Sequence, residues 1–283
     1  MREAMDPDQA ARMLDLLAGD EASIKALELR LAMQLAEVAR ALRRGGLARR
    51  LLEHAERRAV EEASPVDVGW ARLDRLRLEE TSSDAHERAT AIVEAAEVEL
   101  ASNRPGASAL AAAALNTLAK LTWAAGDLDA ARSYQTRSLR LKEDDGDVGG
   151  QINSLSNLAA MARAAGDEAA AMTHTGRRLD ITSALGEDPR HMDALADHAH
   201  DLMRRGAFQD SRRRYGESLD MARRLGDLQG MLVASWGLAD LAELEGDEED
   251  AMLHLSRVLS AYLDAGQPSP DMLRARIDGL TGA

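Results

Sequence analysis

Apolar residues recur at spacings of three and four along nearly the whole chain, and this spacing predicts a series of amphipathic α-helices. Between residues 21 and 44, for example, Ile24, Leu27, Leu31 and Leu35 share one face. Ala, Leu, Arg and Glu dominate the composition and favour helix, whereas the aromatic residues typical of sheets make up only 2%. The chain is therefore predicted to be all-α.

The first hundred residues predict five helices of unequal length. A short N-terminal helix over residues 1–17 comes first, and Asp20 is then placed to N-cap one long helix over residues 21–44. Ser64-Pro65 marks a later start, with serine as N-cap and proline at the first helical position. The remaining predicted helices cover residues 47–63, 65–81 and 84–102.

Two sets of glycines each repeat every 40 residues, and the second set is offset from the first by 20 residues. We call these two sets the glycine ladders, and they predict a repeated helix–turn–helix unit. The register is strict from residue 106 onwards and loose before it, although Gly46 lies on the ladder. We therefore predict an N-terminal helix with two degenerate repeats over 1–103, four regular repeats over 104–266, and a C-terminal capping helix over 267–283. The two ladders are Gly126, Gly166, Gly206 and Gly246, and Gly106, Gly146, Gly186, Gly226 and Gly266.

Within the regular repeats, small and large apolar residues occupy fixed columns. Small residues, such as Ala159 in a first helix and Ala171 in a second helix, let paired helices approach closely. Leu155 in a first helix and Leu179 in a second helix are examples of the large residues that fill the space beside the small ones. Aspartates directly after the turn glycines are predicted to N-cap the second helices. They are Asp127, Asp167 and Asp247.

Gly176 and Gly216 share a column inside second helices. A glycine there costs about 1 kcal/mol relative to alanine. We therefore expect a packing reason, namely close contact with the next repeat or with another chain.

A motif recurs in two successive repeats. It reads Asn116-x-Leu118-Ala119, Trp123-x-x-Gly126-Asp127 and Ala131, and again Asn157-Leu158-Ala159, Gly166-Asp167 and Ala171. This pattern resembles the tetratricopeptide repeat (TPR), and the 40-residue spacing, longer than the usual 34, resembles the extended variety of bacterial regulators and peptide-binding adaptors. The resemblance implies a right-handed superhelical solenoid of antiparallel helix pairs, with a concave groove lined by first helices. It also implies protein or peptide binding without catalysis.

By this register, the groove would be lined by first-helix residues that do not pack between helices. Asparagine offers both a donor and an acceptor and can hold the backbone of an extended peptide, while tryptophan offers a rigid apolar surface. The charges grade from basic to acidic, which suits a ligand with an acidic and a basic part. Alternatively, the tryptophans pack between repeats and the asparagines face water. The candidate residues are Asn116, Lys120, Trp123, Asn153, Asn157, Arg163, Asp193, His200, Trp236 and Asp240.

His198 stands in a column where neighbouring repeats carry leucine. One interpretation is a core histidine satisfied by a carbonyl or a carboxylate, and the other is a pH-sensing or ligand-sensing residue. His198 and His200 lie on different faces of one helix, and His191 is two turns from His198. No metal site and no cofactor are therefore predicted.

The net charge of −14 and the absence of cysteine narrow the functional classes. An acidic chain disfavours nucleic acid as a partner, and arginine clusters at 40–58 and 204–224 are interpreted as solvated faces paired with Glu and Asp, with docking on an acidic partner or RNA as the alternative. The first twenty residues do not resemble a signal peptide, and no apolar run is long enough to span a membrane. A cytoplasmic location is expected, and the excess of 32 arginines over three lysines indicates a high-GC bacterial genome.

No catalytic or phosphate-binding motif stands out. The sequence therefore predicts a non-enzymatic adaptor or scaffold that binds a protein or an extended peptide, in a regulatory or a purely structural role. The alternative is a self-associating subunit of a larger assembly. If a specialised site exists outside the groove, the place to look for it is where the repeat register fails, within residues 1–103.

Overall fold

The computed structural model describes residues 7–79 and 82–281, and every regular element in these ranges is an α-helix. This confirms the all-α prediction, while the predicted helix segments at 1–6 and 80–81 lie outside the described residues. None of the described helices is long and apolar enough to cross a membrane. The helices are α1 Pro7–Leu17, α2 Glu21–Lys25, α3 Leu29–Ala41, α4 Gly45–Glu61, α5 Pro65–Leu78, α6 Ala85–Ala101, α7 Ala107–Ala124, α8 Leu128–Asp144, α9 Val148–Ala164, α10 Glu168–Ser183, α11 Pro189–Arg204, α12 Phe208–Leu225, α13 Leu228–Leu244, α14 Glu248–Asp264 and α15 Asp271–Thr281.

Packing divides the chain into two compact units, Met1–Asp147 and Val148–Ala283. In the first unit, one apolar cluster joins α1 to α4 around Leu35 and Leu51, and another joins α5 to α8 around Leu115. In the second unit, consecutive clusters run from α10 to α15. The predicted boundaries at residues 103 and 266 follow repeat regularity instead, and they stay a prediction.

Glycine occupies the turns from residue 106 to residue 266. Nine glycines, spaced 20 residues apart, have φ between 64° and 93°, a conformation that costs glycine little and other residues more. At seven of these nine turns, the amide of the residue after the glycine donates back to the preceding helix, as Asp167 N does to Ala162 O at 2.9 Å. This six-to-one bond is the helix-ending geometry that favours glycine.

The same turn geometry occurs in the first hundred residues without glycine. Arg43, Ala63 and Asn103 have φ of 57°, 52° and 51°, and Ser64 N donates to Ala59 O at 2.9 Å. Gly46 lies inside α4, so its place on the predicted ladder was a coincidence. The helix-pair architecture therefore continues where the glycine signal is lost.

The predicted aspartate caps are confirmed. Asp127, Asp167 and Asp247 each accept a hydrogen bond from the amide three residues later, at 2.9 to 3.0 Å. Asp20 also caps as predicted, with Ala22 N at 2.9 Å. Ser64, by contrast, donates to the Asp67 carboxylate at 2.5 Å and makes no cap bond to the backbone.

The long helix predicted over 21–44 was wrong, because the chain breaks between α2 and α3. Ile24 and Leu29 are both buried, but they belong to separate apolar clusters. In a continuous helix the Leu27 carbonyl would accept a hydrogen bond from a backbone amide. Here it accepts one from Nε2 of the buried His54 at 2.9 Å instead. A side chain from α4 thus satisfies the backbone group that the break exposes.

Paired helices approach closely at their small residues, as the columns predict. Ala199 of α11 and Ser211 of α12 are both fully buried. The Ser211 hydroxyl donates to the Ala199 carbonyl at 2.7 Å, so a side chain of two heavy atoms bridges the two helices. At another position of the pair, Ser138 on α8 likewise donates to Ala112 O of α7 at 2.7 Å.

The close contact with the next repeat expected for Gly176 and Gly216 is not found, and contact with another chain stays a prediction. An added Cβ at Gly176 would make an ordinary 3.7 Å contact with His198, and one at Gly216 would meet nothing within 4 Å. The tight contact is at Gly237 instead, where a Cβ would lie 2.1 Å from the ring of the buried Tyr215. The absence of a side chain at Gly237 therefore lets the Tyr215 ring of α12 pack directly against α13.

Replacement by alanine is expected to have opposite effects on the free energy of unfolding at Gly237 and at Gly216. Gly237→Ala should lower the free energy of unfolding by about 1–3 kcal/mol, because the Tyr215 ring must move. Gly216→Ala, the matched control, should raise it by about 0.5–1 kcal/mol, because the helix gains propensity without a clash. Urea denaturation followed by circular dichroism checks both, and a Gly237→Ala midpoint at or above the wild-type value would contradict the assignment.

Candidate binding surface on the first helices

Two first helices of the second unit, α9 and α11, carry exposed polar residues at matching positions, whereas α13 carries Val233 there. We call the candidate positions on α9, α11 and α13 the first-helix surface. Asn153 and Asp193 are 40 residues apart and exposed, and Asn157 and His200 are half-buried on the same two helices. The repeat therefore places hydrogen-bonding groups on two successive first helices.

The candidates of the first unit all lie on α7. Lys120 is exposed, whereas Asn116 and Trp123 are half-buried. Helix α7 packs on α8 through a core that includes Leu115 and Leu118. The structure thus leaves the Lys120 ammonium open to solvent.

Arg163, predicted as a basic ligand contact, is held by a buried carboxylate. Its Nε and a terminal nitrogen donate to the two oxygens of Asp201 at 2.6 and 3.0 Å, and Asp201 is 3% exposed. The Thr175 hydroxyl donates to the same carboxylate at 2.9 Å. These contacts tie α9, α10 and α11 together, and they neutralise the basic charge that the graded groove assigns to Arg163.

Trp236 and Asp240 contact the C-terminal helix. The Arg276 guanidinium of α15 lies 4.4 Å from the centre of the Trp236 ring. It also donates to Asp240 at 2.6 Å and to Glu243 at 2.7 Å. For Trp236 the structure thus favours the alternative that it packs between helical layers, and α15 covers this end of the surface, with Leu273 buried beneath it.

His198 is half-buried and its Nδ1 lies 3.1 Å from the Thr175 hydroxyl, so its partner is a hydroxyl and not the expected carbonyl or carboxylate. Burial, and secondly the charge of Arg214, lowers its pKa. Burial, and secondly the charge of Arg163, also lowers the pKa of His200. Both imidazoles are therefore neutral near pH 7, and the His200 ring offers one donor and one acceptor.

Helix α11 carries three aspartates at intervals of four residues, which places them along one side. Asp201 pairs with Arg163, and Asp197 accepts a hydrogen bond from the buried Arg178. Asp193 makes no hydrogen bond or ion pair with any described residue, and partial burial raises its pKa while Arg178 opposes that shift. Asp193 is thus the carboxylate on this side that is placed to receive a basic group.

Sequence reasoning missed Asp201, Thr175 and Arg178. A signal exists for Asp201, because the same position holds Leu121, Met161 and Leu241 in the other repeats. A charged residue in an apolar column needs a buried partner. Arg178 likewise replaces Ser138 and Ser218 in its column, and its Nε has no hydrogen-bond partner among the described residues.

No protein-family model matches the sequence, and a search of curated proteins finds no match. The fold is similar to solved TPR structures. BtubC (BKLC) from P. vanneervenii is 19% identical with a TM-score of 0.59, over 78% of this chain and 91% of that one. A Rap protein in complex with competence and sporulation factor is 12% identical with a TM-score of 0.57, over 96% and 79%. A STAND protein with a TPR sensor from Pyrococcus horikoshii is 16% identical with a TM-score of 0.61, over 99% and 43%. The architecture is TPR-like.

The pairing of Arg163 makes it a stability residue. Arg163→Met should lower the free energy of unfolding by about 3 kcal/mol, because the carboxylate of Asp201 would stay buried without its counter-ion. Arg204→Met, the matched control, removes an exposed pair with Glu168 and should change it by less than about 1 kcal/mol. Chemical denaturation measures the free energy of unfolding of both variants. Equal decreases would contradict the claim that the buried Arg163–Asp201 pair contributes more than an exposed pair.

Proposed function

We propose that this protein is a non-enzymatic scaffold that binds an extended segment of a partner protein on the first-helix surface. The observation that carries the proposal is the exposure of Asn153 and Asp193 at matching positions of adjacent first helices. An extended segment that runs across α9 and α11 would meet Asn153 and Asp193 in turn.

The chemistry of the surface defines the ligand. Asn153 can pair with a peptide group whatever the side chain beside it. Asp193 favours a lysine or arginine, since a charge-assisted hydrogen bond is stronger than a neutral one. Because Asp201 neutralises Arg163, the surface favours a basic segment over the ligand of mixed charge that the sequence suggested.

The solved structures support this proposal by analogy. The Rap protein of the comparison is complexed with competence and sporulation factor, and the STAND protein uses its TPR region as a sensor. A cytoplasmic adaptor, without cofactor, is the role we assign to the present chain. A regulatory role would follow if the bound segment altered the packing of α15 on Trp236 and Asp240.

Peptide selection tests the proposal. The whole chain is immobilised and a random library of displayed linear peptides is selected against it. Selected peptides are expected to be rich in Lys and Arg. Asp193→Ala and Asn153→Ala should each weaken them about fivefold to tenfold, the loss of one hydrogen bond. Fluorescence polarisation with labelled peptide measures the affinity.

Asp220→Ala serves as the control, because it removes an exposed carboxylate from the second helix α12. It should leave affinity unchanged. Failure to enrich any peptide, or equal affinity of wild type and Asp193→Ala, would refute the proposal. A light-scattering mass of the free protein addresses the alternative of a self-associating subunit, which a monomer at micromolar concentration would exclude.

A further inference from the structure

A cavity of about 480 Å³ lies between α4, α5, α6 and α7, within the first unit. Its size falls in the range of small-molecule sites, roughly 300–1,000 Å³. Val68, Ile92 and Leu110 supply an apolar lining. Most of the cavity lining belongs to the part of the chain where the repeat register is loose.

Small residues create this space. Ala91 and Ala95 are exposed on the α6 side, and Gly69 lies on the facing side of α5. A Cβ at Gly69 would lie 2.4 Å from a methyl of Leu110, so the glycine lets that leucine close one wall. Larger side chains at Ala91 or Ala95 would occupy the cavity without disturbing a buried contact.

Arginine side chains add positive charge to the lining. Arg72 and Arg75 both donate to Glu56, each at 2.7 Å, so one carboxylate serves two guanidinium groups. Arg88 donates to Glu79 at 2.9 Å. Each guanidinium has five N–H donors, and these three arginines make no other hydrogen bond with the described residues. Unused donors therefore stand next to an apolar lining.

The arginine pair on Glu56 favours an anion. Arg72 and Arg75 share the single carboxylate of Glu56, so this group of three side chains keeps one net positive charge at the lining. Arg88 is paired outside the lining with Glu79 at 2.9 Å and with Asp84 at 3.8 Å, and Glu99 lies 3.5 Å from Arg104. Arg75 and Arg88 are mostly shielded, with side chains 28% and 26% exposed, so their attraction for an anion is screened less than at an open surface.

We propose that this cavity is a binding site for a small amphipathic carboxylate. The aliphatic or aryl body of the ligand packs against Val68, Ile92 and Leu110, and its carboxylate accepts hydrogen bonds from Arg75 and Arg88. Planar guanidinium groups suit a carboxylate because two parallel N–H donors match its two oxygens. This site is separate from the first-helix surface and does not depend on the function proposed for it.

Calorimetric titration of the whole chain with decanoate tests the site, with decanol as a neutral probe of equal length. Decanoate should bind at least tenfold more tightly than decanol, because only the acid engages the arginines. Arg75→Met should remove that difference while Arg72 still holds Glu56. Equal affinity for acid and alcohol, or no binding of decanoate, would overturn the proposal.

A pair of substitutions on α6 locates the site. Ala95→Phe fills the cavity and should abolish decanoate binding, whereas Ala101→Phe makes the same change at an exposed position of that helix outside the cavity and should preserve it. Thermal unfolding by circular dichroism verifies that both variants are folded. If folded Ala95→Phe binds as wild type does, or both variants lose binding, decanoate binds elsewhere and the proposal fails.

Discussion

The close approach of the two helices in each pair is the constraint on which the rest of the structure depends. Ala159, Ala199 and Ala239 are at most 2% exposed, and the small residues opposite them on the second helices are equally buried. The bond from Ser211 to the Ala199 carbonyl requires the two backbones to lie within reach of one hydroxymethyl group. Small contacts of this kind fix the helix spacing, and the large leucines then fill the space beside them.

This packing determines which residues are left for binding. Once one side of a first helix is buried in its own pair and the adjoining side against its neighbours, a narrow polar strip remains. In the second unit, part of that strip is used internally, since Asp201 holds Arg163 and Arg276 covers Trp236. Asn153 and Asp193 remain exposed. Structural pairing thus removes Arg163 from the mixed set of charges, which supports the basic ligand that we propose for this surface.

Local signals explain why the helices and their turns could be predicted so largely from sequence. A glycine with positive φ and an aspartate cap act within a few residues. The turn at Gly166 and Asp167 could therefore be predicted from these two residues alone. The break at Leu27 depends on His54, which is distant in sequence, and no local signal marks it. The pairing of Arg163 with Asp201 was missed for a similar reason, because it joins adjacent repeats 38 residues apart.

Overpacking one small column tests the constraint most directly. Ala199→Leu places a large side chain where two backbones meet, whereas Ala160→Leu makes the same change at a half-buried position of a neighbouring first helix. The account predicts that Ala199→Leu lowers the free energy of unfolding by about 1–3 kcal/mol or more, with Ala160→Leu close to wild type. Urea denaturation measures both. A wild-type midpoint for Ala199→Leu would contradict the claim that close helix approach organises this fold.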